Sequence, residues 1–521
     1  MELLFWSAAE VSVVTVMIAM ITLWAVRVVN WVWLRPKRFE KLLREQGLNG
    51  EPYSLSFHKS IHSDIQQDHT NSPPFPLSDH VAPCVSSSVH RTIAKHGKNS
   101  FVWEGTIPTV IITDPNQIKE VFNNIHDFHK LKFSGITKLF VNGLLTYEGE
   151  KWAKHRRITT PAFRLEKLKN MLPAFSQSCH DMISTWKGIL ASDGKCEIDL
   201  WPFFRKLTSD VISRTAFGSS YAEGEKIFQL LQMQGYLVTT SIIENVPALR
   251  YIPTTTKRRM LAMEREVHDL IEAIIKKREK AMKNGEAYNE DLLTMFLESN
   301  DMEIRGHENS RSVGMTNQEV IEECKLFYTA GQETTSILLC WTMVLLARYP
   351  QWQARAREEV FQVFGHQNLH FDGLSQLKIM TMILYEVLRL YPPSIFFTRT
   401  LQKDVKLGNV SLPAGIHITM PILFVHQNED IWGDDAKEFK PERFSEGIAK
   451  ATNKGQVSFY PFGWGPRICI AQNFALLEAK IVFSLLLQHF SFELSPSYAH
   501  HLTFLLGIQP KHGAHIVLHK L

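Results

Sequence analysis

The chain has no paired cysteines, no block of like charge and no internal repeat. Its six cysteines, Cys84, Cys179, Cys196, Cys324, Cys340 and Cys469, are far apart, with no CxxC spacing and none of the density of a small secreted disulfide scaffold. A reducing compartment is favoured, and Cys324 and Cys340, inside an apolar helical pattern, read as buried small hydrophobes. Basic residues are spread along the chain and the net charge is only +4, so nothing in the balance calls for nucleic acid. No glycine-rich fingerprint for a flavin or nicotinamide is visible.

One long hydrophobic run is present, at the N-terminus. VSVVTVMIAMITLWAV is followed, after Arg27, by VVNWVWL and then by the basic cluster Arg35, Lys37 and Arg38. A bilayer span needs ~20 mostly apolar residues. Residues 11–34 meet that if Arg27 snorkels or the helix tilts. The run lacks the basic start and small-residue cleavage site of a signal peptide, so it reads as a retained anchor. Trp24, Trp31 and Trp33 suit an interfacial belt, and the basic cluster places the rest of the chain on the cytosolic side.

Beyond the anchor, RPKRFEKLLREQGLNG (35–50) predicts a short amphipathic helix ending at Gly50, and DHTNSPPFPLSD (68–79) a loop. FVWEGTIPTVIITD predicts a strand pair turning near Gly105 and Pro108. From about 115 to 390 the pattern is helical, with charged faces such as KRRMLAMEREVHDLIEAIIKKREKAM; strand-like pieces return near VKLGNVSLPAGIHITM. The fold class is mainly α with a small β portion.

Two helices carry unusual features. MTNQEVIEEC opens with a capping box of Thr316 and Glu319, and the helix can run to Arg348 before Pro350, ~48 Å at 1.5 Å per residue. Its middle, TAGQETTS, holds Gly331 and two β-branched residues, which cost about 1 kcal/mol or more relative to alanine. Close packing against Gly331 is one explanation of that cost. MTMILYEVLRLYPP sets Glu386 and Arg389 three apart on one face among apolar neighbours, which suggests a partly buried pair.

The stretch FGWGPRICIAQNFALLEAK places Cys469 behind two glycines, a proline and an arginine, just before an apolar helix. A sulfur there lies near unpaired backbone N–H groups and the positive end of the helix dipole, which favour the thiolate. Gly463, Gly465 and Pro466 permit a tight turn close to a flat ligand, and Arg467 offers a cation to an acidic group on it. A lone soft sulfur with no histidine or second cysteine nearby disfavours zinc or an iron–sulfur cluster. A macrocycle that brings four nitrogens needs only this one axial ligand.

At this point the chain resembles the cytochrome P-450 superfamily of haem-thiolate monooxygenases. Phe462, Gly465, Arg467 and Cys469 match its cysteine loop; AGQETT, the Glu386/Arg389 pair and PERF (441–444) match three further signatures in the family's order, and Trp152 and Arg156 a fifth. IEECKLFYTAGQETT and MILYEVLRLYPP look like the plant branch that contains secologanin synthase and triterpenoid oxidases. Two departures stand out: Ala471 replaces the usual glycine, and LRPKRFEKLL replaces a proline-rich hinge after the anchor.

The resemblance implies a cytochrome P-450 fold with residues 1–34 as anchor, 35–80 as linker and amphipathic segment, and 81–521 as the haem-thiolate catalytic domain. It implies haem b with the Cys469 thiolate as the metal ligand. Trp152, Arg156, Arg399 and Arg467 would meet the propionates, and Phe462 would belong to the cysteine loop. Ala330 and Gly331 would leave room for dioxygen, Thr334 with Glu333 would relay protons, and Glu386, Arg389 and Arg443 would form a structural network. Electrons would come from NADPH through a cytochrome P-450 reductase, with Lys151, Lys154 and Arg157 as candidate basic contacts. The protein would be a single-pass endoplasmic reticulum protein facing the cytosol. Largely apolar variable regions near 129–145, 232–250, 394–397 and 503–508 imply a small apolar substrate, a terpenoid of the iridoid or triterpenoid kind. Two other readings remain at this level. One is a haem-thiolate isomerase or dehydratase independent of oxygen, against which Glu333 and Thr334 argue; the other is a non-catalytic membrane haem-binding protein.

Overall fold

The computed structural model describes residues 8–54, 81–133, 135–219, 221–240, 254–285, 291–305, 314–452 and 457–521. The loop expected over 68–79 lies outside them. Helix α1 (Ala8–Val29) runs through a π turn, Asn30–Leu34, directly into α2 (Arg35–Glu45). Among the described residues this is the one helix long and apolar enough to cross a membrane, and none of its most apolar stretch is buried. The π turn has a local cause. Pro36 has no N–H for the Val32 carbonyl four residues back, and that carbonyl accepts the Tyr53 hydroxyl at 2.5 Å instead. Tyr53 is buried between Trp33, at 6.0 Å, and Trp103, at 4.7 Å. The C-terminal end of this apolar helix is therefore fastened to the globular part through Tyr53. The helix expected over 35–50 stops at Glu45, because Gly47 turns to φ 80° and Asn49–Gly50 leave as strand β1.

The remaining strands are β2 (Ser100–Glu104), β3 (Ile107–Ile111), β4 (Phe128–Lys130), β5 (Lys195–Asp199), β6 (Phe396–Leu401), β7 (Val405–Leu407), β8 (Val410–Leu412), β9 (His417–Pro421), β10 (Phe490–Leu494), β11 (Leu502–Phe504), β12 (Ile508–Pro510) and β13 (His515–Lys520). The largest sheet has the order β1-β2-β3-β9-β6-β4. The β2–β3 hairpin turns at Gly105, φ 62°, while Pro108 already lies within β3 opposite Trp103 and takes no part in the turn. In the same sheet Lys130 of β4 stands opposite Arg399 of β6.

The long helices are α3 (Gly149–Thr159), α4 (Leu172–Ile189), α5 (Leu200–Phe217), α6 (Tyr221–Thr240), α7 (Thr255–Lys283), α8 (Leu292–Arg305), α9 (Asn317–Arg348), α10 (Pro350–Phe364), α11 (Lys378–Leu390) and α12 (Gln472–His489). The capping box forms as expected: the Glu319 amide donates to Thr316 Oγ1 at 3.2 Å and the Thr316 amide to Glu319 Oε2 at 3.0 Å. Pro350 ends α9 and starts α10. From Thr335 to Ala347 every residue of α9 is buried, so this half is enclosed on all sides. There Trp341 stacks on Tyr391 at 4.6 Å, and its indole N–H donates to the Ile508 carbonyl at 2.7 Å. The fold is mainly helical with a small sheet portion, as the sequence implied.

Candidate active site

The cysteine loop closes on itself. The Cys469 amide donates to the Phe462 carbonyl at 2.9 Å, the Gly463 amide to Tyr460 O at 3.0 Å and the Ile468 amide to Gly465 O at 3.1 Å. Gly463 and Gly465 take φ 74° and 71°, and a Cβ on Gly465 would sit 2.9 Å from the Phe122 carbonyl, so only glycine fits. Ala471 is the cap of α12 with φ −96°, an ordinary value, which explains why the usual glycine is dispensable here. Cys469 is exposed; the atoms crowded around its sulfur push the thiol up, while the Ala471 amide and the Arg156 charge favour the thiolate. Coordination to a metal would remove the thiol proton outright.

Around this loop gathers a group of cations. Arg467 donates to the Tyr147 carbonyl at 2.9 Å and to the Glu148 carboxylate, and its guanidinium lies 4.4 Å from the centre of the Trp152 ring. Arg399 is buried and held down to about 10, first by burial and then by the charge of Arg467. Lys130, which the sequence reading missed, is pushed well below the ordinary lysine range by burial and by Arg399 and Arg467. Arg156, beside Cys469, is lowered by burial. Among the described residues Lys130, Arg156 and Arg399 form no ion pair, and Glu148 on Arg467 is the nearby anion. Buried charge of one sign is costly unless paired. The group suits a ligand that brings carboxylates next to the cysteine.

In mid-α9, Ala330 and Thr334 are exposed while their flanks are largely buried, so one helical face opens onto a cleft. The Thr334 hydroxyl donates to the Ala330 carbonyl at 2.7 Å. Gly331 faces elsewhere: a Cβ there would lie 2.3 Å from Ile212 Cδ1 of α5, so this glycine serves close helix packing and leaves no room on the open face. Glu333 also turns away from Thr334. Its buried carboxylate accepts from Gln509 of β12 and lies 3.8 Å from Arg205, and burial pushes it up.

The expected structural network is present, with Glu386 and Arg389 wholly buried and Arg443 at its edge. Arg389 donates to Glu386 at 2.7 and 2.8 Å and to the carbonyls of His426 and Glu438 at 2.7 and 3.0 Å. Arg443 Nε lies 3.5 Å from Glu386 Oε1, and Arg443 donates to the Trp432 carbonyl at 3.0 Å.

The family model for cytochrome P-450 matches residues 84–514. The chain belongs to the cytochrome P-450 family. It is an oxidoreductase of the haem-thiolate monooxygenase class, and the sulfur and the cations beside it, three of them without an ion pair among the described residues, fit a haem on their own chemistry. The 11-oxo-beta-amyrin 30-oxidases of Glycyrrhiza uralensis and Medicago truncatula are each 62% identical, over 512 and 516 residues, with 98% of this chain and 98% of the relative covered in both cases. CYP72A613 of Trigonella foenum-graecum is 63% identical over 517 residues, with the same coverage. The fold matches that of retinoic acid bound cyanobacterial CYP120A1 with a TM-score of 0.72 at 23% identity, over 84% of this chain and 94% of that one.

Three of the four variable regions of this cytochrome P-450 meet. Ile136 and Phe140, Leu237 and Val238, and Leu506 share one apolar cluster with Met260 and Met263 of α7. The fourth lies at the cysteine loop, where Phe397 would contact a Cβ on Gly463 at 3.7 Å. The cations read as reductase contacts are already engaged. Lys151 pairs with Glu319 at 2.8 Å, Lys154 donates to the Gly314 carbonyl at 2.9 Å, and Arg157 pairs with Glu303. Gln509 and Lys130 escaped the sequence because each reaches its partner through strand pairing or packing across more than a hundred residues.

Proposed function

We propose that this cytochrome P-450 inserts one atom of dioxygen into a triterpenoid of the β-amyrin type. The observation that carries the reading is the partly buried group of cations at the cysteine loop, three of which form no ion pair among the described residues, in a chain 62% identical to 11-oxo-beta-amyrin 30-oxidases over nearly its whole length. Cys469 holds the iron of haem b. Arg156, Arg399, Arg467 and Lys130 bind its carboxylates, whose two charges offset the surplus positive charge, and Trp152 packs beneath Arg467. When bound, thiolate-ligated haem supplies oxygen activation.

The protein's own part is placement and proton supply. Ala330 keeps the open face of α9 low, and the Thr334 hydroxyl, parked on the Ala330 carbonyl, turns from it to present its proton to the cleft. Glu333, whose carboxylate accepts from Gln509, would have to leave that partner before it could pass a proton to Thr334. The apolar cluster of Ile136, Phe140 and Leu506 excludes water from a rigid hydrocarbon skeleton. Electrons come from NADPH through a cytochrome P-450 reductase, and α1 anchors the enzyme in the endoplasmic reticulum membrane with its catalytic domain in the cytosol.

The test is to incubate reductase-containing microsomes bearing the protein with β-amyrin and 11-oxo-β-amyrin and to follow products by mass. A product heavier by one oxygen, formed only with NADPH, is expected. Rearrangement of a substrate without NADPH would support the oxygen-independent isomerase instead, and haem binding with no turnover of any terpenoid the non-catalytic reading.

A further inference from the structure

Helices α3 and α9 meet along two matched rungs. Lys151 and His155 are four apart on α3, and Glu319 and Glu323 are four apart on α9, so each pair shares a helix face. Lys151 Nζ lies 2.8 Å from Glu319 Oε1, and His155 Nδ1 2.6 Å from Glu323 Oε1; His155 Nε2 lies 3.7 Å from Glu319 Oε1, too far for a hydrogen bond. The two rungs differ in kind. Lys151 is 46% exposed, whereas both side chains of the inner rung are 0% exposed. An exposed pair is worth little; a buried one costs desolvation and is poor evidence for stability.

The inner rung has been given room at some cost. Gly143 takes φ 76°, and a Cβ there would lie 3.0 Å from the Glu323 carboxylate. The Tyr147 ring packs edge-on against His155 at 4.7 Å. His155 Nε2 is buried with no hydrogen-bond partner among the described residues. Such an arrangement is better suited to fixing geometry than to adding stability.

What it fixes follows from helix geometry. Arg156 is the next residue along α3 and Trp152 is one turn back, so the direction of His155 sets the direction in which these two face. On α9, Ala330 is seven residues beyond Glu323, two turns on and close to the same face. We propose that His155 and Glu323 are a positioning pair. Their hydrogen bond sets the rotation of α3 against α9, so that Arg156 and Trp152 meet the carboxylates of the haem. This rests on the reading above that Arg156 binds a haem carboxylate.

The test is the rate of haem transfer from the purified full-length holoprotein to excess apomyoglobin, read beside the thermal midpoint. Glu323→Met, which keeps size but loses the acceptor, and His155→Phe, which keeps the ring contact but loses the donor, are each expected to release haem about tenfold faster, the low end of outer-shell effects at metal centres. Glu323→Gln, which can still accept from Nδ1, is expected to stay within about threefold of the parent, and Lys151→Met on the outer rung to match it. If one of the first two variants does not accumulate, the other asks the same question. A purely structural role would lower the midpoint and leave haem release unchanged in the folded fraction, or make Glu323→Gln as fast as Glu323→Met; either overturns the proposal. Arg156→Met separates the two layers. If it does not speed haem release, the carboxylate reading fails; if it does while Glu323→Met and His155→Phe do not, the positioning pair alone fails.

Discussion

Glu386 and Arg389, three residues apart on α11, exchange two hydrogen bonds at 2.7 and 2.8 Å with neither side chain exposed. The remaining donors of Arg389 hold the carbonyls of His426, Ala436 and Glu438, and the Lys440 amide donates to Glu386 at 2.9 Å. One ion pair thus organises the segment that leads into the cysteine loop. Breaking a buried pair by removing one partner costs about 3–5 kcal/mol, because the other charge is stranded. Glu386→Gln and Arg389→Met should each lose stability of that order in urea unfolding. A loss below about 1 kcal/mol, the size of an exposed pair, would contradict the assignment.

His426 gives this region a pH dependence. Its Nε2 accepts from the Tyr460 amide at 2.9 Å, and burial, then the charge of Arg389, hold it down to about 3 against an ordinary 6.5. The unfolded chain therefore takes up a proton that the folded chain refuses. The stability from this site is fully present above about 6.5 and is lost as the pH falls toward about 3, with a slope of up to about 1.4 kcal/mol per pH unit. His426→Gln keeps an acceptor for Tyr460 and should flatten this acid limb in unfolding measurements made across that range. An unchanged slope would place the acid sensitivity elsewhere.

The residues that were legible in the sequence were those whose meaning is local. Thr316 and Glu319 announce a helix start, Glu386 and Arg389 share a face by spacing alone, and the glycines before Cys469 require the positive φ they adopt. What was not legible depends on register and packing between distant segments. Lys130 faces Arg399 only through the β4–β6 pairing, and Glu333 turns to Gln509 because β12 packs beside α9. Gly331 could be read from sequence either as room for a ligand or as close packing, and only the position of Ile212 decides for packing. Lys151 and Lys154 looked like free basic surface because their partners, Glu319 and Gly314, lie more than 150 residues further along the chain.

Thr334 carries a separate prediction. Thr334→Val keeps size and branching but removes the hydroxyl that rests on Ala330 O. Haem content and substrate binding should survive, while product formed per NADPH consumed falls and hydrogen peroxide rises. Positioned acid–base groups contribute ~10²–10⁴-fold in rate, and water replacing the hydroxyl would soften the loss. An unchanged ratio in a folded, haem-loaded variant would remove Thr334 from proton supply.

Asn409 reports on topology. It lies exposed in the β7–β8 turn, within the acceptor pattern NVS. A catalytic domain on the cytosolic side never meets the glycosylating machinery, so Asn409 should be unmodified when the protein is made in a eukaryotic host. A mass shift removed by glycosidase would invert the orientation read from Arg35, Lys37 and Arg38.

The central claim is that Cys469 alone supplies the protein's bond to the iron. The most direct measurement is the absorption spectrum of the reduced, carbon monoxide-bound protein beside that of Cys469→Ser. The parent should show the red-shifted Soret band of thiolate-ligated haem, and the serine variant should lose that band even where haem is retained. A variant that keeps the band would show that another residue is the ligand, and the site assembled here around Cys469, Arg156 and Arg399 would be misplaced.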